Sequence, residues 1–167
     1  MSVRRTAAAV LAAGLLLAGC SDDPEPQFEP TESPAPTESS SSAAPEAQSP
    51  EEFIREWVAL DNEMTKSGDT AAFRAASVGC DPCNSYADRI EDIYASGGFV
   101  NTDGRQVMSV KKAELRGAYE LKVDSSPTKY RERAGGKIKS LPGGDLTFRL
   151  VLRKRQGDWI VADEVQL

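Results

Sequence analysis

The hydrophobic period of this chain changes once, at Gly97-Gly98, and that change bounds the folds open to it. Before it, apolar residues recur at helical spacing: Phe53, Trp57, Leu60 and Met64, flanked by Ile54 and Val58. Ser49 can cap this helix, Pro50 suits its first turn, and Glu52 stands where a capping box wants an acid. Lys66 and Gly68 mark its end. A short second helix is expected from Asp69 or Thr70, carrying Phe73. A third is expected from Asp81-Pro82, with Tyr86, Ile90, Ile93 and Tyr94 on one face and Asp88, Arg89 and Asp92 on the other. Beyond Gly98 the period is two. Val107 to Val110 reads as a strand, and Tyr119, Leu121 and Val123 alternate with Glu120, Lys122 and Asp124. Tyr130 falls in a weak strand or loop before Gly135-Gly136. Phe148, Leu150 and Leu152 alternate with Arg149, Val151 and Arg153, and Trp159 to Val165 forms the last strand after a hairpin at Gln156-Gly157-Asp158. The fold class is therefore α+β: three N-terminal helices packed on a curved antiparallel sheet of about four to five strands.

The first 19 residues are of another kind. Arg4 and Arg5 precede an apolar run from Thr6 to Leu17, the anatomy of an export signal. That run is shorter than the roughly 20 residues a spanning helix needs. Leu17-Ala18-Gly19-Cys20 looks like a bacterial lipobox, in which Cys20 takes a diacylglyceryl group and becomes the new N-terminus. Residues 20–49 then read as a lipidated cysteine and a disordered Pro/Ser/Glu-rich tether, whose composition buries too little surface to offset chain entropy. A flexible tether of this length reaches about 30 Å, and a fully extended one up to about 90 Å. Residues 50–167 are the folded domain. The expected location is the extracytoplasmic face of the cell membrane, held by lipid at Cys20.

Charge is polarised along the chain. Its net charge is -6, yet residues 21–49 hold seven acids and no base, while residues 105–167 hold fourteen bases and eight acids. The chain has no histidine, which excludes His-based triads and His-bearing metal sites. No cofactor is expected.

The quoted helix and strand order resembles the cone-shaped fold of the nuclear-transport-factor-2-like superfamily. More narrowly, the chain is similar to an actinobacterial lipoprotein family catalogued as domain of unknown function 6318. The likeness lies in Thr65-Lys66-Ser67-Gly68-Asp69-Thr70, Cys80-Asp81-Pro82-Cys83, Tyr94-Ala95-Ser96-Gly97-Gly98 and Gly157-Asp158-Trp159, together with the lipobox and tether. None of these motifs is catalytic, so the resemblance implies a fold and a location but no reaction.

Three features carry candidate chemistry. Cys80 and Cys83 stand at the start of the third helix, with Cys20 assigned to lipid. A helix N-terminus can stabilise a thiolate, the requirement of a thiol–disulfide site. No strand leads into the motif, however, and Asp81 places negative charge between the sulfurs, so a structural disulfide is favoured. Asp61 lies within the apolar arc of the first helix. A desolvated carboxylate there suits a general base, whereas backbone amides or an arginine (Arg116, Arg149 or Arg153) would hold it at or below its ordinary pKa, the favoured expectation. The basic run Lys129, Arg131, Arg133, Lys137 and Lys139 suits either anionic surfaces or, as favoured here, a solvated edge strand. The remaining aromatics, including Phe148 and Trp159, are expected in the core.

These observations lead to a non-catalytic binding domain for a partner protein or a small apolar ligand, with Trp57, Asp61, Tyr86 and Tyr94 as its candidate pocket. The alternatives are a pocket enzyme using Asp61, and a thiol oxidoreductase using Cys80 and Cys83. A nucleic-acid role fits poorly with an exported, acidic chain.

Overall fold

The computed structural model describes residues 48–167. The signal segment, Cys20 and nearly all of the tether lie outside the described residues. Three helices come first: α1 (Pro50–Ser67), α2 (Ala71–Ala76) and α3 (Asp81–Ala95). Seven strands follow: β1 (Phe99–Asn101), β2 (Arg105–Lys112), β3 (Ala118–Ser125), β4 (Thr128–Arg131), β5 (Lys139–Leu141), β6 (Gly144–Arg155) and β7 (Asp158–Gln166).

The start of α1 is fixed by a capping box. The Glu52 N–H donates to Ser49 Oγ, and the Ser49 N–H donates back to the Glu52 carboxylate at 2.9 Å. Gly68 ends the helix in the left-handed region, at φ 81°, where the Tyr94 ring leaves no room for a Cβ. Helix α3 buries Cys83, Ala87, Ile90 and Ile93 along one face.

The expected single sheet of four to five strands is instead two antiparallel sheets. One has the order β2-β3-β6-β7, the other β1-β4-β5. Val107, Tyr119, Phe148 and Trp159 lie in the larger sheet; Tyr130 lies in the central strand of the smaller. Strands β1 and β5 span three residues each, too short to show a period. The division falls at a corner where Ser126-Pro127 and Pro142-Gly143 cross. Pro127 Cδ stands 2.8 Å from where a Gly143 side chain would begin, so only glycine passes there. At the β6–β7 hairpin, Gln156 and Gly157 both have positive φ, the twist a two-residue turn requires.

The core lies between α1, α3 and the inner face of the larger sheet: Ile54, Trp57, Met64, Leu121, Val123, Leu150 and Val161 are all buried. Two bulges interrupt the strand alternation. In β2 the register shifts between Val107 and Ser109, leaving Met108 exposed while Val107 and Val110 pair with inward-facing Val123 and Leu121. In β7 the shift falls after Val161, so Leu150 pairs with Glu164 and Val165 turns outward. This second bulge positions the site.

Candidate functional site

Asp61 follows Trp57 by one turn on the buried face of α1 and is only 2% exposed. Its partner is an arginine outside the expected set. Arg105, the first residue of β2, donates from Nη1 to Asp61 Oδ2 at 2.9 Å. Arg149 and Arg153 alternate with inward-facing Phe148, Leu150 and Leu152, so they face outward, and Arg116 is exposed between β2 and β3.

Arg105 is held by its backbone as well. Its N–H donates to Asn62 Oδ1 at 2.7 Å, and Asn62 Nδ2 donates to its carbonyl at 2.9 Å. The preceding Gly104 adopts φ 97°, and a side chain there would run into the Asn62 amide. The guanidinium lies 5.0 Å from the Phe148 ring centroid and 6.0 Å from that of Tyr86. Adjacent residues of α1 thus fix both ends of one arginine.

The ion pair leaves Asp61 half satisfied. Oδ1 is buried and has no hydrogen-bond partner among the described residues. Burial pushes the Asp61 carboxyl above its ordinary pKa, and Arg105 opposes that rise without cancelling it. The expectation of an ordinary or lowered value is therefore overturned, because desolvation outweighs the single cation.

A second carboxylate joins the group through the bulge in β7. Glu164 faces inward, and burial pushes its pKa up to about 7, with Arg105 opposing and Asp61 adding to the rise. Tyr86 on α3 shares a hydrogen bond with Thr65 Oγ1 at 3.0 Å, and burial raises its phenol too.

Two cavities meet at this cluster, and Asp61, Tyr86 and Arg105 line both. The larger, of about 300 Å³, has apolar walls from Ile90, Ile93, Val100, Leu141 and Leu146, with Tyr130 and Thr128 from β4. The smaller, of about 210 Å³, is bounded by Trp57, Phe73, Phe148 and Glu164. Of the four expected pocket residues, Asp61 and Tyr86 line both cavities and Trp57 only the smaller. Tyr94 lines neither. Its hydroxyl donates to the carbonyls of Lys66 at 2.6 Å and Thr65 at 3.0 Å, which makes it a clamp on the end of α1. Arg105, Glu164 and Asn62 were absent from the sequence expectation. Arg105 stands apart from the apolar pattern that identifies β2, and Glu164 occupies a position that unbroken alternation assigns to solvent.

Cys80 and Cys83 have sulfurs at bonding distance and Cα atoms 5.3 Å apart. Both residues are fully buried. Cys80 Sγ caps α3 by accepting from the Cys83 N–H at 3.3 Å. The Glu164 carboxylate lies 3.9 Å from Cys83 Sγ, a packing contact, since a disulfide sulfur has no proton to donate.

No family model matches the chain, and no curated protein matches it either. Solved structures do show likeness. The intermembrane-space region of the chloroplast protein ARC6 is 9% identical over 69% of this chain and 91% of its own, at a TM-score of 0.46. An NTF2-like protein of unknown function from Shewanella oneidensis is 12% identical over 68% of this chain and 95% of its own, at 0.40. An NTF2-like protein with a cystatin-like fold from Novosphingobium aromaticivorans is 14% identical over 69% of this chain and 79% of its own, also at 0.40. Similarity at this level identifies neither a family nor a function.

Proposed function

We propose that this is a lipid-anchored protein of the extracytoplasmic membrane face whose folded domain binds a small, largely apolar ligand between α1, α3 and the smaller sheet. On this reading residues 1–19 are the export signal, Cys20 carries the lipid, residues 21–49 are the tether and residues 50–167 are an NTF2-like binding domain. One observation carries the binding role: a cavity of about 300 Å³ with apolar walls and the Asp61–Arg105 pair at one side. The walls supply affinity and the ion pair orients whatever polar group the ligand carries. Full burial of both sulfurs supports a structural disulfide, because no substrate thiol reaches them.

Filling the cavity tests the ligand role. Val100→Trp should abolish the fluorescence gain of 8-anilinonaphthalene-1-sulfonate added to the folded protein, while a substitution on the outer sheet face, Arg149→Ala, leaves it unchanged. Equal fluorescence in all three proteins would exclude the cavity as a binding site. Cys20→Ala should move the protein out of the membrane fraction, since two acyl chains anchor stably. Retention of a processed Cys20→Ala protein would assign anchoring to something other than lipid.

The pocket-enzyme reading has its own observation. Two carboxyls with raised pKa values, Asp61 and Glu164, share one arginine at the cavities. That arrangement can hold a proton near neutral pH, the requirement for general acid–base work.

A further inference from the structure

Between Lys129 and Leu141 the chain carries five cations, Lys129, Arg131, Arg133, Lys137 and Lys139, against one acid, Glu132. Residues 50–167 hold 18 bases and 19 acids, so a net of four positive charges in this hairpin is a local concentration of one sign. Glu132 is already matched, by Lys139 Nζ at 2.8 Å and by Arg89 at 3.7 Å. Arg131 stacks inward, its guanidinium 5.1 Å from the Phe99 ring centroid. Lys129, Arg133 and Lys137 are exposed and make no ion pair among the described residues. Ile138 stands between Lys137 and Lys139 and is 63% exposed.

An edge strand needing protection from pairing is served by its lysines alone; an isoleucine so exposed works against that purpose. A soluble polyanion would use the charges and leave the isoleucine in water. An anionic lipid surface uses both, with phosphates meeting the ammonium groups and the apolar chain entering the acyl boundary. We infer that the β4–β5 hairpin is a membrane contact, docking the edge formed by Lys137-Ile138-Lys139, where the chain enters β5, on an anionic lipid surface independently of any lipid at Cys20.

The register shows what such docking does. Thr128 pairs with Leu141 and Tyr130 with Lys139, so Thr128, Tyr130 and Leu141 share the face that walls the larger cavity. Leu141 is 53% exposed, and it belongs at once to the hairpin and to the cavity wall. β5 is an edge strand of the smaller sheet, so docking along that edge brings Leu141 to the lipid surface. If the ligand-binding role holds, apolar molecules enter from the membrane past Leu141; the membrane contact itself does not depend on that role.

The test uses the chain from residue 20 onward carrying Cys20→Ser, so that no acyl chain can form. It is sedimented with vesicles of phosphatidylcholine alone, or of phosphatidylcholine and phosphatidylglycerol in equal parts. Binding is expected only to the anionic vesicles, and added salt should release it. Lys137→Glu should weaken partitioning by about 25-fold, since each basic residue near such a surface contributes roughly fivefold and the reversal counts twice. Ile138→Ser should weaken it by about tenfold. Both side chains are exposed, and an unchanged circular dichroism spectrum checks that the fold is kept. Absence of wild-type binding to anionic vesicles overturns the proposal, as does wild-type binding by both variants. Release by inorganic polyphosphate with no effect of Ile138→Ser would make the hairpin a polyanion site. Binding that emerges only when residues 21–47 are deleted would show that the hairpin is covered by the chain's own acidic segment, which also overturns the membrane contact.

Discussion

Trp57 and Asp61 lie one turn apart on the same face of α1, equally buried, and their polar atoms meet different fates. The Trp57 Nε1–H donates to Ser77 Oγ at 2.8 Å, on the side of the ring away from the smaller cavity. The ring bounds that cavity together with Phe73, whose centroid is 5.2 Å away, near the disulfide that closes the start of α3. Asp61 gives one oxygen to Arg105 and leaves the other without a hydrogen-bond partner among the described residues, at the junction of two cavities. An unpaired buried acceptor costs about 1–3 kcal/mol, and a fold built only for stability has no reason to keep one. Burial alone therefore does not separate framework from site on this helix. The degree of hydrogen-bond satisfaction does.

The strongest way to break that contrast is to remove the cation. Arg105→Ala leaves the Asp61 carboxylate buried without a counter-charge, and near neutral pH it should cost about 3–5 kcal/mol in urea unfolding. Acidification should recover part of the loss, because a protonated Asp61 no longer needs the arginine. A change below about 1 kcal/mol would mean that water reaches the carboxylate and that the half-satisfied pair is not desolvated at all.

The next effect is a pH dependence at the open end that the packed end lacks. Glu164 has a folded pKa raised to about 7 from an ordinary 4.5. Its contribution to stability is fully present below the lower value and is lost as pH rises through the higher one. Stability should therefore fall between about pH 4.5 and 8, by at most about 3 kcal/mol for this group. Glu164→Gln should flatten the profile and make the variant the more stable protein at pH 8. A profile that rises over this range, or the same slope in the variant, would remove Glu164 from the buried cluster.

The packed end was the more legible in sequence, for a physical reason. Phe53, Trp57, Met64, Leu121, Leu150 and Val161 declare themselves by period, because a packed core selects apolar residues at the spacing of its own elements. Asp61 was visible as a breach of that period. Arg105 and Glu164 were not. Arg105 precedes the apolar alternation of β2, and its role depends on an asparagine 43 positions earlier. Glu164 faces inward only because of the bulge after Val161, and bulges leave no mark in an alternation of polar and apolar letters. The smaller sheet escaped for a related reason: strands of three or four residues around Gly135-Gly136 are defined by their partners and not by their composition.

At the packed end a smaller loss is expected. Replacing Cys80 and Cys83 together with serine removes a tight ring, worth about 2 kcal/mol by loop entropy. The contrast is sharpened if this variant loses stability yet keeps dye binding in the larger cavity, neither cysteine being among its walls. Loss of dye binding with the fold intact would show that the two ends are coupled.

The smallest effect on stability discriminates best between them. Asp61→Asn keeps the size of the side chain and an oxygen that accepts from Arg105, while it removes a charge that burial disfavours. The lost charge-assisted bond and the relieved desolvation oppose each other, so the net change should stay within about 1 kcal/mol. The readout is elsewhere. Asp61 is one of the charges that hold the Glu164 pKa up, and Arg105 is the charge that holds it down. Asp61→Asn removes the first and frees the second, and both changes act in one direction: Glu164 should titrate clearly below about 7. An NMR titration of the Glu164 carboxyl in wild type and variant measures this directly. Trp57→Phe, one turn away, deletes the bond to Ser77 and part of the buried ring at a cost of about 2–4 kcal/mol in stability, but it removes no charge and should move that titration less than Asp61→Asn does. If Asp61→Asn leaves Glu164 unmoved, the two carboxyls do not share Arg105, and the half-satisfied aspartate is an isolated defect in the core.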